Sequence, residues 1–213
     1  SDYPTTSGVY DNAYNGGDYD VFISKFDTSL TTLEASCFIG GNDSDVGSKI
    51  ILDNSTGDVI ITGNTESNNF PFTSGSYDTT FNGGSSDIFI CRLSGDLSAL
   101  TASTFIGGTD EDYVADISLN NAATKLYITG TTRSSDYPVT PSSFDTAFNS
   151  TGSTAVLVSL LNTDLTNLQA SSFIEGSSMD EAFAMTIDYN DNILITGTTE
   201  STDWPTTPGT YDD

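Results

Sequence analysis

One 67-residue pattern recurs along this chain, and it limits the possible folds more than any other feature of the sequence. An aromatic residue followed by proline occurs at this spacing at Tyr3, Phe70, Tyr137 and Trp204. The tripeptide Ile-Thr-Gly occurs at the same spacing at residues 61–63, 128–130 and 195–197. Because unrelated motifs keep one common spacing, we interpret the 213-residue chain as about three copies of one structural unit.

Each copy is predicted to contain four short β-strands. In the middle copy the strand-like segments are residues 47–52, 58–65, 87–93 and 100–106. They are rich in Ile, Val, Thr and Phe, and turn-forming residues separate the two strands of each hairpin. No segment has a sustained period of 3.6 residues, so we predict an all-β fold without long helices. The first two strands are the most continuously apolar, so we expect them to be buried on both faces.

Four antiparallel strands per repeat, with turns at regular spacing, are typical of one blade of a β-propeller. A single four-stranded sheet cannot bury both of its faces, so each blade must pack against its neighbours. A β-solenoid is the alternative repeat architecture, but its coils are much shorter than 67 residues. We therefore predict β-propeller-like blades of four antiparallel strands with a period of 67 residues, about three blade equivalents in all.

The repeat resembles a known family. The string that begins at Phe105 (FIGGTDEDY) and the string at residues 126–141 (LYITGTTRSSDYPVTP) are similar to the SBBP β-propeller repeat. Residues 200–211 (ESTDWPTTPGTY) match the end of that repeat closely, whereas Glu175 replaces the first glycine in the third copy. The SBBP repeat is typical of large secreted and surface proteins of bacteria and archaea. The resemblance therefore implies an extracellular or cell-surface scaffold without enzyme activity.

The boundaries of the repeats leave both ends of the chain unfinished. Residues 46–112 and 113–180 are each interpreted as one complete blade repeat. Residues 1–45 are interpreted as a loop and the outer hairpin of an incomplete blade. Residues 181–213 are interpreted as the inner hairpin of another incomplete blade, followed by a loop. The two ends are complementary, because each supplies the hairpin that the other lacks.

The open ends indicate which partners to expect, since a closed propeller needs about four to eight blades. The partners are adjacent propeller repeats if the chain is a fragment of a longer tandem array. They are copies of the chain itself if molecules join head to tail by strand addition at an open edge. A head-to-tail contact gives a ring when the rotation closes and a filament when it does not.

The charge balance excludes several classes of function. The chain has 5 basic and 30 acidic side chains and a formal net charge of −25, so we expect no binding to nucleic acid or to an anionic membrane. No apolar run is long enough to span a bilayer, so we also expect no membrane insertion. The chain has no histidine, which excludes Ser-His-Asp catalysis and His-ligated zinc.

Five acidic residues in equivalent loops are the candidate metal ligands. Calcium takes about six to eight oxygen ligands, which Asp-rich loops that contain glycine can supply. The alternative is that these carboxylates cap turns by accepting backbone N–H groups. The candidate calcium ligands are Asp43, Asp45, Asp110, Asp112 and Asp180.

Two cysteines and three asparagines are candidate modification sites. Cys37 and Cys91 fall at non-equivalent positions of the repeat, so a disulfide between them, two buried thiols, and a bond to a neighbouring copy all stay open. N-glycosylation acceptor patterns begin at Asn42, Asn54 and Asn149.

These features favour a non-enzymatic, extracellular structural protein. We expect a β-propeller repeat segment that assembles head to tail into a filament, stalk or surface layer by completing its split blades. The alternative is a cell-surface adhesion module that binds glycans or proteins, with the aromatic-proline segments as a stacking surface for a glycan. The same aromatic residues can instead fill the gaps between neighbouring blades, which is the interpretation we favour.

Overall fold

The computed structural model describes residues 2–150 and 152–210, and within them it is an all-β protein without helices. The bounds of its twelve strands are β1 Val21–Phe26, β2 Leu33–Ile39, β3 Asp45–Leu52, β4 Val59–Thr65, β5 Asp87–Leu93, β6 Leu100–Ile106, β7 Asp112–Leu119, β8 Lys125–Thr132, β9 Ala155–Asn162, β10 Leu168–Ile174, β11 Asp180–Ile187 and β12 Ile193–Thr199. The four strands predicted in the middle copy are therefore confirmed, with small differences at their ends.

The strands form four antiparallel sheets. Two sheets have four strands, in the orders β3-β4-β5-β6 and β7-β8-β9-β10, so strands that follow one another in sequence lie side by side. The other two sheets are two-stranded, and we name them the N-terminal hairpin (β1–β2) and the C-terminal hairpin (β11–β12). Within the described residues the four sheets form neither a closed barrel nor a closed ring.

Equivalent residues of the repeat occupy the same position in their sheets. Thr65 on β4 pairs with Asp87 on β5, and Thr132 on β8 pairs with Ala155 on β9. The offset changes from 67 to 68 residues between these strands because the connection before β9 is one residue longer than the connection before β5. Side chains at equivalent positions can therefore be compared directly between copies.

Packing between successive sheets determines which strands are buried. β5 is buried along its whole length, whereas β3 is exposed at most of its positions. The expectation that the first two strands of each copy are buried on both faces is therefore wrong for β3. Its equivalent β7 packs against β3, β4 and β5 of the preceding sheet. On the corresponding side, β3 faces β1 of the two-stranded N-terminal hairpin.

Candidate functional sites

Each copy places one buried aspartate at the start of an inner strand. These residues are Asp45 on β3, Asp112 on β7 and Asp180 on β11. One carboxylate oxygen of each accepts the backbone N–H of the glycine four residues earlier, at 2.7 Å. The same oxygen accepts a serine hydroxyl from the loop after the next strand, at 2.9 to 3.0 Å. These carboxylates therefore join two loops, as the turn-capping alternative predicts.

The other two candidate calcium ligands lie in exposed turns. Asp43 accepts the backbone N–H of Ser44 at 3.1 Å, and Asp110 accepts that of Glu111 at 2.9 Å. Across residues 2–150 and 152–210, no three Asp, Glu or Cys side chains come together as a group that could hold a metal ion. The structure thus separates the five candidate ligands into buried caps and exposed turn residues, and calcium binding stays a prediction.

A second buried carboxylate, which is not one of the five candidate metal ligands, faces Asp112. Asp87 is completely buried, and its Oδ2 accepts the backbone N–H of Asn82 at 2.6 Å. A Cβ atom on Gly107 would lie 2.7 Å from Asp87 Oδ1 and 2.9 Å from Asp112 Oδ2, so the two carboxyl groups meet over this glycine. Burial, with the Asp112 charge nearby, raises the pKa of Asp87 to about 7. Burial raises the pKa of Asp112 to about 6.

The first copy has the same carboxyl pair. Asp20 and Asp45 approach the Cβ position of Gly40 at 2.7 and 2.9 Å, and Asp20 Oδ2 accepts the backbone N–H of Asn15 at 2.5 Å. Burial raises the pKa of both aspartates. The paired carboxyl groups are therefore a property of the repeat in these two copies.

The third copy supplies the second carboxylate from the residue that follows β10. Ala155 replaces the aspartate on the third strand of the sheet, and Glu175 replaces the glycine over which the carboxyl groups meet. The Glu175 carboxylate accepts the backbone N–H groups of Asn149 and Ser150 and the Ser150 hydroxyl. A carboxylate thus still anchors the loop at Asn149, which is the equivalent of the loops at Asn15 and Asn82.

One arginine forms a buried ion pair inside the first four-stranded sheet. Arg92 on β5 is 8% exposed, and its guanidinium donates to Asp53 at 2.7 Å and to Asp58 at 2.8 Å. Both carboxylates belong to the turn between β3 and β4. The third donor of the fork reaches the carbonyl oxygen of Thr163 in the next sheet at 3.2 Å. This arginine therefore joins the inner and outer hairpins of one sheet and links that sheet to its neighbour.

Both cysteines are buried free thiols, so the structure does not contain the disulfide between Cys37 and Cys91. Cys91 Sγ lies 3.2 Å from Ser103 Oγ, and both sulfur atoms pack in one apolar cluster between the N-terminal hairpin and the β3–β6 sheet. Burial raises the pKa of Cys37 to about 11 and that of Cys91 to about 12. The thiols therefore stay protonated at neutral pH, and they fill the core as small apolar side chains.

The three predicted glycosylation sites are all at the surface. Asn42, Asn54 and Asn149 are exposed and lie outside the strands. The hydroxyl residue of the third site, Thr151, lies outside the described residues. A glycan could be accommodated at each asparagine without entering the core, and modification there stays a prediction.

The aromatic residues of the two internal aromatic-proline segments fill the core. Phe70 and Tyr137 are 1% and 2% exposed. Phe70 stacks on Phe89 of β5 with ring centroids 4.4 Å apart, and the Tyr137 hydroxyl lies 3.0 Å from Ser159 Oγ on β9. These two rings are therefore not available as a stacking surface for a glycan.

The two ends of the chain expose apolar side chains that are buried in the internal copies. Ile50 on β3 is 59% exposed, whereas its equivalent Ile117 on β7 is 4% exposed. Phe22 on β1 is 56% exposed, whereas its equivalent Phe89 is completely buried. One groove lies between β1 and β3, and a second lies along β12 beside Trp204. Both grooves run along sheet edges that lack a neighbouring strand.

No protein-family model matches the chain, and no curated protein matches it. In the part of the chain that the structure describes, no helix has the length and apolar character to cross a membrane.

Proposed function

We propose that this chain is a non-enzymatic structural protein of the SBBP β-propeller type, outside the cell or on its surface, that assembles head to tail. The single observation that carries the proposal is the pair of two-stranded sheets at the two ends. The C-terminal hairpin corresponds to β3–β4, and the N-terminal hairpin corresponds to β5–β6. Placing β1 of one copy beside β12 of another would reproduce the strand order of the internal sheets, as in strand addition at an open edge.

The internal sheets also supply the register that we expect for this join. Thr65 pairs with Asp87 and Val59 pairs with Leu93 where β4 meets β5. The equivalent pairs between two copies are Thr199 with Asp20 and Ile193 with Phe26. This register brings the exposed Phe26 side chain over the exposed edge of β12.

Phe22 is the principal apolar anchor of the proposed join. In the internal sheet, the ring of Phe89 lies directly on Gly63, with ring atoms 2.8 Å from where a Cβ would be. The equivalent contact between copies places Phe22 of one copy on Gly197 of the other. A glycine at this position of β12 leaves the space that the ring needs, and burial of an aromatic ring is worth about 1.5 to 3 kcal/mol.

A second apolar contact of the proposed join pairs two highly exposed side chains. In the interior, the backbone N–H of Tyr77 donates to the Leu165 carbonyl at 2.7 Å, and Leu165 is 1% exposed. The equivalents of this pair across the join are Phe144 and Leu30, which are 73% and 78% exposed. The join would bury both, which gives a physical reason for two large apolar side chains at the surface.

The join requires that one aromatic-proline segment moves. Tyr3 already packs on Phe22 of its own copy, with ring centroids 4.5 Å apart. Trp204 of the other copy is the equivalent residue and would occupy the same place. The backbone N–H of Thr6 donates to the Ser36 carbonyl oxygen, and Thr6 Oγ1 accepts the Ser36 N–H, which are the same two bonds that Thr73 forms with Ser103. The segment that contains Tyr3 is therefore docked on its own hairpin. Pro205–Thr210 is exposed, so we expect the segment after β12 to be the one displaced.

The test is the size of the purified 213-residue chain as a function of concentration. Light scattering after size exclusion should show growth beyond the monomer, and negative-stain images should show rings or filaments. Hydrogen exchange should slow at residues 21–26 and 193–199 as the assemblies form, because both edges become paired. Phe22→Ala should weaken assembly by about tenfold or more.

Phe72→Thr is the matched control, since Phe72 is half-exposed, lies on neither edge strand, and has threonine at its equivalent positions Thr5 and Thr206. A chain that stays monomeric at all concentrations would overturn the proposal. Assembly that Phe22→Ala and Phe72→Thr affect equally would show association through another surface and would overturn strand addition.

A further inference from the structure

The buried ion pair of the first four-stranded sheet has a counterpart that is divided between the two ends of the chain. Arg92 on the first strand of the outer hairpin bonds Asp53 in the turn of the inner hairpin. The equivalent of Arg92 in the N-terminal hairpin is Lys25 on β1, and the equivalent of Asp53 in the C-terminal hairpin is Asp188, directly after β11. The basic and acidic members are thus both present, one at each open edge.

The second four-stranded sheet has neither a basic nor an acidic residue at these two positions. Its residue equivalent to Arg92 is Leu160, and its residue equivalent to Asp53 is Asn120. Asn120 Oδ1 accepts the backbone N–H groups of Thr124 and Lys125, so an amide in this position still caps the turn. Of the two four-stranded sheets, one therefore carries both the cation and the acid, and the other carries neither.

Lys25 shares one contact with Arg92, although its side chain is 52% exposed where that of Arg92 is 9% exposed. Its Nζ donates to the carbonyl oxygen of Gly95 in the next sheet at 3.3 Å, as Arg92 Nη1 donates to Thr163 at 3.2 Å. Its ion pair with Glu34 is 3.8 Å long and about half-exposed, so this pair contributes little.

Asp188 caps its turn as Asp53 does, but it is half-buried rather than buried, and its Oδ2 accepts the Asn192 side-chain amide at 2.8 Å where Asp53 Oδ2 accepts from Arg92. It accepts the backbone N–H groups of Asn190 and Asn192 at 2.8 Å, as Asp53 accepts that of Ser55 at 2.9 Å. The pKa of Asp188 is lowered by the hydrogen bonds from Asn192, so the carboxylate is ionised at neutral pH.

We propose that Lys25 of one copy and Asp188 of a second copy form an ion pair that fixes the register and direction of head-to-tail assembly. This inference rests on the proposed function, and it names the partner as another copy of this chain. A slip of two residues along β12 would move Lys25 away from the turn and leave its charge over apolar residues of the strand. The pair also matters because each copy carries a net charge of −25, so most long-range forces between copies are repulsive.

A cycle of charge changes tests the pair. Lys25→Glu and Asp188→Lys should each weaken assembly of the full chain by about tenfold or more, and the double variant should recover most of the loss. Asp188→Asn copies Asn120 and keeps the turn cap, so it separates loss of charge from loss of the turn. Arg133→Glu is the control for net charge, because Arg133 lies on neither edge strand and pairs with Glu111 at the surface.

Circular dichroism and the melting temperature of the dilute monomer would establish that each variant is folded. Recovery in the double variant, with Arg133→Glu close to wild type, would support the ion pair. Single variants that assemble like wild type, or a double variant no better than the singles, would overturn it. In that case Phe22→Ala would still disrupt assembly if strand addition is correct, so the two proposals fail separately.

Discussion

The carboxylate that anchors the loop before the third strand of a sheet comes from one of two positions in the repeat, and exchanging these positions tests the buried carboxyl pair. In the second copy it comes from Asp87 over Gly107, whereas in the third copy Ala155 and Glu175 hold these positions. The perturbation consists of Asp87→Ala, Gly107→Glu and the two changes together. Because the third copy carries both changes, the double variant has a precedent within the chain.

The structure gives the expected sizes. Asp87→Ala removes the acceptor of the Asn82 N–H and should cost about 1 to 3 kcal/mol of the free energy of unfolding. Gly107→Glu places a Cβ 2.7 Å from Asp87 Oδ1 and should cost about 1 to 3 kcal/mol through overpacking. In the double variant the Asp87 carboxyl no longer blocks the space, and the new glutamate can reach the Asn82 N–H. The double variant should therefore be more stable than either single variant, with a coupling energy of about 1 to 3 kcal/mol.

Urea denaturation at about pH 5 measures these differences. At that pH Asp87, whose pKa is about 7, is mainly protonated in the folded protein, so the cost of burying its charge does not obscure the loss of its hydrogen bond. Asp87→Ala with Gly107→Ala is the control, because it removes the clash without restoring an acceptor. The reasoning predicts that the two costs do not add. If the losses in unfolding free energy of Asp87→Ala and Gly107→Glu sum to that of the double variant within about 0.5 kcal/mol, the two carboxylates do not compete for one place.

Two further predictions concern buried charge. Asp87 and Asp112 have folded pKa values of about 7 and 6, above their ordinary value of 3.8, so the folded chain holds protons that the unfolded chain has released. Their contribution to stability is full below about pH 4 and is lost as the pH rises towards 7, by up to about 1.4 kcal/mol per pH unit for each group, and Asp87→Asn should reduce this loss in urea denaturation. Arg92→Leu should cost about 3 to 5 kcal/mol, because it leaves the Asp53 charge buried without its partner. Asp53→Asn in the same chain should recover most of that cost, as urea denaturation at neutral pH would show.

The first of these predictions would be contradicted if the free energy of unfolding rose between about pH 4 and pH 7. It would also be contradicted if Asp87→Asn lost as much stability over this range as the wild type. An Arg92→Leu/Asp53→Asn variant as unstable as Arg92→Leu alone would contradict the second. Arg133→Glu is a control for both, because its ion pair with Glu111 is at the surface and should contribute less than about 1 kcal/mol.

The position of the strands could be predicted because the relevant signal is local and repeated. Apolar and β-branched runs such as residues 87–93 are bounded by turn residues, and the period shows the same element in each copy. The sequence also predicted, as one of two alternatives, that Asp45, Asp112 and Asp180 cap turns. The glycine N–H that each carboxylate caps is only four residues away, so the sequence limits this contact strongly, whereas the serine that bonds the same oxygen is 21 or 22 residues away.

The partner of Asp112 could not be predicted in this way. Asp87 meets Asp112 over Gly107 only because β5, β6 and β7 bring three distant positions together. A signal was nevertheless present, since Ala155 and Glu175 depart from the repeat in the same copy. Only the fold connects the two departures, because it brings the equivalent positions Asp87 and Gly107 into contact.

By itself, the sequence determined the period, the strands and the order in which they form hairpins, because these follow from side-chain pattern and turn chemistry between near neighbours. Only the tertiary structure decided that β3 is exposed while β5 is buried, that two carboxyl groups meet away from water, and that Lys25 reaches a carbonyl oxygen of the next sheet as Arg92 does. Burial and pairing depend on which sheet covers which face. That is settled by packing between segments far apart in the chain, which no local pattern encodes.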